Sequence, residues 1–123
     1  MLLSTALNGL VQRTKVDPKL VQDIVVGNVN QPGAGAVTSR MAGFLAGFPE
    51  TTTLVTINRF CSSGLEAVAT IAGKIRAGQI DIGIGCGVES MTMYDMQSSM
   101  NPEALSDQIF DHEQARDCLM PMG

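Results

Sequence analysis

A chain of 123 residues that is 45% hydrophobic and 16% charged carries enough apolar material for one compact core and too little length for two. Its net charge of −4, with no Lys/Arg-rich run, argues against nucleic acid or an anionic membrane surface as the main partner. No apolar run approaches the roughly 18 to 20 residues that span a bilayer, and the three irregularly spaced cysteines (Cys61, Cys86, Cys118) with a single histidine, His112, give neither a disulfide framework nor a metal site.

Leu3, Leu7, Leu10 and Val11 recur at the spacing of one helix face, with Ser4 or Thr5 as a late N-cap, and Asp17-Pro18 opens a short turn. Ile24, Val25 and Val26, bounded by Asp23 and Gly27, read as a strand buried on both faces. Gln31 to Gly35 is a loop. Met41, Phe44 and Leu45 predict a helix from about Val37 to Ala46, closed by Gly47 before Pro49. Leu54 to Ile57 is the next strand, residues 62 to 77 form a helix with Gly78 at its C-cap, and Ile80 to Ile84 is a further strand. This αβαβαβ order predicts an α/β fold with a mostly parallel sheet. A strand would be expected ahead of the first helix in such a fold, and the sequence offers none.

Composition changes near Glu89. Residues 1–88 hold seven basic and five acidic side chains, whereas residues 89–123 hold one basic and seven acidic and six of the eight methionines (Met91, Met93, Met96, Met100, Met120, Met122). Residues 1–89 therefore read as the regular body and 90–123 as the start of a Met-rich acidic loop region. The methionines there are expected chiefly to fill gaps between loop and body.

The helix beginning at Ser62 is apolar on nearly every side. Leu65, Val68, Ala69, Ala72 and Ile75 make one face, Ala67 and Ile71 a second, and only Glu66, Thr70 and Lys74 leave a polar stripe. Such a helix is expected to lie between layers, and a second covering layer has to come from residues outside this chain or from a partner.

The chemistry centres on Asn58-Arg59-Phe60-Cys61-Ser62-Ser63-Gly64-Leu65-Glu66-Ala67-Val68, which places a cysteine between a strand and a helix start. Backbone N–H groups at a helix start favour negative charge and can receive an oxyanion, so Cys61 is a candidate nucleophile. The alternative at this point is a small buried hydrophobe at a tight turn. Cys86, within a glycine-rich strand end, is read as structural, Cys118 as an ordinary loop thiol and His112 as a solvated loop residue. Gly83, Gly85 and Gly87 alternate at every second position, which is not dinucleotide spacing. They indicate backbone crowding against the Cys61 region.

The Cys61 segment, followed after one helix by Asp81-Ile82-Gly83-Ile84-Gly85-Cys86-Gly87-Val88-Glu89-Ser90-Met91, resembles the thiolases, and within them the 3-ketoacyl-CoA thiolases. Ser39-Arg40-Met41-Ala42, Gly47-Phe48-Pro49, Gly27-Asn28-Val29 and the stretch from Ala115 to Gly123 add to the likeness, the last resembling the peroxisomal branch.

The resemblance implies a layered αβαβα fold of two similar halves, of which residues 1–89 would be most of the N-terminal one, with the first strand and the whole C-terminal half absent. It implies that Cys61 attacks the 3-keto carbon of a 3-ketoacyl-CoA, releasing acetyl-CoA, and that coenzyme A, a co-substrate and not a bound cofactor, then takes the acyl group. Met91 would border the acyl pocket. The histidine base of a Gly-His-Pro motif, a second cysteine in Cys-x-Gly and an Asn-Glu-x-Phe segment would lie outside this sequence, so residues 1–123 alone would be inactive. A homodimer in the peroxisome is further implied, with Thr56, Asn58 and Arg59 near its two-fold axis and Arg40 and Arg59 in salt bridges there or on CoA phosphates. The rival readings are a biosynthetic acetoacetyl-CoA thiolase and a truncated, non-catalytic chain. A redox thiol lacks a resolving cysteine near Cys61, and a papain-type protease lacks a supported histidine.

Overall fold

The computed structural model describes residues 2–96 and 101–120. Three parallel strands, β1 (Asp23–Gly27), β2 (Thr53–Ile57) and β3 (Gly83–Gly87), form a sheet in the order β2-β1-β3. Ile24 pairs with Leu54 on one side and Ile84 on the other. Helices α1 (Leu2–Thr14) and α2 (Ala36–Leu45) precede and follow β1, and α3 (Ser63–Arg76) joins β2 to β3. After β3 the described residues hold a single 3-10 turn at Pro102–Ala104 and two short α-helices, α4 (Gln108–Asp111) and α5 (Glu113–Asp117).

The chain steps from β1 to β2 in one direction and returns across β1 to β3, so right-handed crossovers must pass over opposite faces of the sheet. The core has the two sides this requires. Ile24, Val26 and Ile84 face Leu3 and Leu7 of α1 and Ala42 of α2, while Val25 faces Ala67 and Ile71 of α3. All five residues of β1 are buried, as expected of a central strand covered on both faces. Asp23 at its start is also buried; its carboxylate accepts from the Thr53 hydroxyl at 2.7 Å and pairs with the Lys74 ammonium.

Several boundaries differ from expectation. Helix α1 begins by Leu2, which puts Ser4 and Thr5 inside it and leaves neither as its N-cap. The third strand runs over Gly83–Gly87, not Ile80–Ile84. Ahead of it the N–H groups of Asp81 and Ile82 go to the Gln22 side-chain oxygen, at 2.6 and 3.1 Å, while Gln22 N–H donates to Ile82 O at 2.9 Å. The alternate glycines of β3 lie close to their neighbours, Gly85 against helix backbone. A β-carbon on Gly85 would lie 2.6 Å from Val68 Cα, and one on Gly83 would lie 2.8 Å from the Ile71 side chain. The glycine crowding is therefore against the middle of α3 as well as its start.

Helix α3 is buried on one face only within this chain. Ala67 and Ile71 are covered by the sheet, whereas Leu65 is 74% and Val68 52% exposed. Arg40 is engaged within the chain. Its guanidinium donates to the carbonyl oxygens of Thr52 and of Glu50 (2.9 Å to the latter) and lies over the Phe44 ring, tying α2 to the approach to β2. No described helix is long and apolar enough to cross a membrane.

Candidate active site

The C-terminal ends of the three parallel strands lie side by side, and the segments that follow them meet. In parallel sheets this is where ligands bind, because successive connections diverge to opposite faces and leave a crevice. Here it is a hollow of about 440 Å³ lined by Asn28, Cys61, Gly64 and Glu89, with Met91 and Met96 at its side. Cys61 and Met91, 30 positions apart in sequence, thus share one wall-lined space.

Cys61 is held there by a turn with little freedom. Phe60 adopts a left-handed conformation, φ 48°, immediately before it. The Ser63 hydroxyl accepts from the Arg59 N–H at 2.8 Å and donates to the Phe60 carbonyl at 2.6 Å. Ser63 itself is buried, because β1 ends in a glycine. A β-carbon at Gly27 would stand 2.6 Å from the Ser63 carbonyl carbon and 2.8 Å from the Gly64 nitrogen. Gly27 therefore allows the start of α3 to rest on the end of β1, and Cys61 sits above that contact.

Cys61 is exposed, which removes the reading of a buried hydrophobe at a turn. The N–H groups of Ser62 and Ser63 donate to the carbonyls of Arg59 and Phe60, at 3.1 and 3.0 Å, so those two are committed to the turn and are not free for an oxyanion. Glu66, in the first turn of α3, pairs with Arg59 at 3.3 Å on the surface. Arg59 is thus engaged within its own chain.

The opposite wall was not legible as a site. The Glu89 carboxylate accepts from the N–H of Val29 at 2.9 Å and of Asn30 at 3.3 Å, and the Asn28 amide donates to Val88 O at 2.7 Å and to Glu89 at 3.4 Å. These bonds clasp the segment after β1 to the segment after β3 across some 60 residues of sequence. The available signal was positional: Asn28 and Glu89 each follow a strand end on the same side of a parallel sheet. On the far side of the clasp a second hollow, of about 450 Å³, opens between α1, α2 and residues 88–94.

The other cysteines fall away from this point. Cys86 packs against the core, and burial pushes its thiol from 9.0 up to about 11, which keeps it protonated and inert near neutrality. Cys118 is exposed at the end of α5 and donates to Gln114 O at 3.2 Å. His112, also exposed, caps α5 by accepting from the Ala115 N–H at 3.4 Å. The described methionines of this segment do not fill gaps in the core. Met91, Met93, Met96 and Met120 are all exposed, while Met100 and Met122, with residues 121–123 of the last matching segment, lie outside the described residues. Among the described residues no three His, Cys, Asp or Glu side chains gather where they could hold a metal ion.

The family model for the thiolase N-terminal domain matches residues 1–123. The 3-ketoacyl-CoA thiolase B, peroxisomal, of Rattus norvegicus is 54% identical over 122 residues, 99% of this chain and 28% of that protein. Among solved structures, the dimeric peroxisomal thiolase of Saccharomyces cerevisiae superposes with a TM-score of 0.86 at 41% identity, over 98% of this chain and 32% of that one. Another structure from the same organism, peroxisomal 3-ketoacyl-CoA thiolase, has a TM-score of 0.79 at 41% identity over 98% of this chain and 33% of that one; it is described as five-layered, built from two core domains of identical topology. The α/β fold and the site motifs thus define a thiolase-type chain. It belongs to the thiolase family by its N-terminal domain, and it spans somewhat over a quarter of the length of the curated relative it matches.

Proposed function

We propose that this chain supplies the nucleophile of a 3-ketoacyl-CoA thiolase of fatty-acid β-oxidation. The Cys61 sulfur attacks the C3 carbonyl, and the C2–C3 bond breaks with its electron pair leaving on the acetyl-CoA fragment, which takes up a proton. The shortened acyl group stays on Cys61 as a thioester until the thiol of a second CoA attacks it and Cys61 leaves. Splitting one hard carbon–carbon cleavage into two acyl transfers is what a thiol nucleophile offers. The observation that carries the reading is the exposed Cys61 in a hollow at the ends of three parallel strands, within a chain matched along its whole length by the thiolase N-terminal model.

Met91 borders the acyl chain in this reading, since it lines the same hollow. CoA is a co-substrate, and no permanently bound cofactor is required. The proton-transfer groups of the reaction belong to motifs outside residues 1–123, so these residues alone give no turnover. The open edge of β2, half exposed along Thr53–Ile57, suits pairing with a second copy, in line with the dimeric yeast relative. The relatives named peroxisomal support residence in that organelle.

The test is Cys61→Ser in the whole protein that carries these residues, followed by loss of a 3-ketoacyl-CoA in the presence of CoA. The reading expects thiolysis to disappear with the fold unchanged. Thiolysis at the original rate would overturn it.

A further inference from the structure

A non-glycine residue in the left-handed region persists only where its surroundings over-determine it. Phe60, at φ 48°, is such a residue, and its own ring does not hold it, being 78% exposed in this chain. The Phe60 N–H donates to the Asn58 side-chain oxygen at 2.9 Å, and the amide nitrogen of the same side chain donates to Val29 O at 3.2 Å. Val29 is in turn fixed through its N–H to Glu89 at 2.9 Å. One side chain therefore ties the turn that carries Cys61 to the clasped wall across the hollow.

We infer that Asn58 is a positioning residue for Cys61: its amide holds the left-handed turn at Phe60 and registers the thiol against the loop that follows β1. The inference rests on the reading of Cys61 as the nucleophile. The Asn58 amide supplies both groups at once, an acceptor for Phe60 N–H and a donor for Val29 O. Aspartate keeps the acceptor and sets a charged oxygen against the Val29 carbonyl. Alanine loses both bonds and leaves the strain at Phe60 opposed only from the Ser62 and Ser63 side of the turn. Glycine at position 60 relieves that strain, because it enters the left-handed region without steric cost.

The experiment compares Asn58→Ala, Asn58→Asp and the double variant Asn58→Ala/Phe60→Gly in the whole protein. The measurements are kcat and KM with a 3-ketoacyl-CoA and the ratio of Cys61 to Cys118 alkylation by iodoacetamide, read by peptide mass. Asn58→Ala is expected to lower kcat by about 10- to 100-fold, as misplacement of a reacting group does, with KM within about threefold. Adding Phe60→Gly is expected to recover most of the loss, which a merely structural defect would not do. Asn58→Ala with kcat within twofold of the parent, or no recovery in the double variant, overturns the inference. Should Asn58→Ala fail to fold, Asn58→Asp carries the test: a smaller kcat loss supports the inference and unchanged kcat overturns it. Failure of the nucleophile reading is seen separately, as absent acyl transfer in the parent protein. The alkylation ratio still reports on positioning then, with a fall of about threefold or more expected in Asn58→Ala and an unchanged ratio counting against it.

Discussion

A β-carbon on Gly27 would stand 2.6 Å from the carbonyl carbon of Ser63. The end of the central strand and the start of the helix after the candidate nucleophile are thus in backbone contact, and neither neighbour is the tip of a flexible side chain that could swing aside. Gly27→Ala must push α3 away from β1 and carry Cys61 with it. The expected outcome is a loss of stability of about 1 to 3 kcal/mol, the usual cost of overpacking, together with a fall in kcat. Gly9→Ala is the control. A β-carbon there meets nothing within 4 Å, and the change is expected to stabilise α1 by about 0.5 to 1 kcal/mol. Denaturant unfolding of both variants checks the contrast.

The half-buried pair of Asp23 and Lys74 ties the start of β1 to the last turns of α3. The Asp23 side chain is 3% exposed and that of Lys74 is 34% exposed. Removing the ammonium strands a carboxylate whose remaining side-chain partner is the Thr53 hydroxyl. Stranding one charge of a fully buried pair costs about 3 to 5 kcal/mol, and the partial exposure of Lys74 brings the expected cost of Lys74→Met to about 2 kcal/mol. Unfolding free energies for Lys74→Met, Asp23→Asn and the double variant measure it; the double variant is expected to be less damaged than the two single losses added together.

Burial of Cys86 links stability to alkaline pH. Its thiol is pushed from 9.0 up to about 11 in the folded chain, so between those values the unfolded chain has released a proton that the folded one keeps. The unfolded state then binds fewer protons, and stability falls as pH rises across that window while being fully present below it. The expected loss is about 2 kcal/mol by the upper end. Thermal unfolding from pH 8 to pH 11 is expected to show this fall in the parent and a shallower one in Cys86→Ala.

Met91 lines the hollow with Cys61 and carries a flexible, polarisable side chain suited to acyl chains of differing length. Met91→Trp is expected to lower kcat/KM for long-chain 3-ketoacyl-CoA by about tenfold or more while sparing acetoacetyl-CoA, since the indole takes up space only the longer chain needs. Kinetics with substrates of graded length provide the check.

The local elements were legible in the sequence because each announced itself over a short span. The β-branched run at Ile24–Val26 gave a buried strand, and the nearly all-apolar pattern of residues 65–75 marked a helix with two faces to cover, one of which, around Leu65 and Val68, stands exposed among the described residues. The place of Cys61 between a strand and that helix was legible, whereas its reading as nucleophile drew on the likeness of the surrounding motif to the thiolases. What escaped depends on pairs distant in sequence. The N–H groups of Asp81 and Ile82, just ahead of β3, are held by the Gln22 side chain, which the alternating isoleucines at 80, 82 and 84 cannot reveal. The clasp of Asn28 and Glu89 joins residues 61 apart, and the left-handed turn at Phe60 is written in a phenylalanine where the backbone conformation would suggest glycine.

The central claim is that Cys61 carries the acyl group, and peptide mapping of the protein after mixing with a 3-ketoacyl-CoA in the absence of free CoA tests it most directly. The account predicts that the peptide containing Cys61 gains the mass of the acyl group shortened by two carbons, that Cys86 and Cys118 stay unmodified, and that added CoA removes the label. An acyl group found on Cys118 or Cys86, with Cys61 unmodified while substrate is turned over, would contradict it.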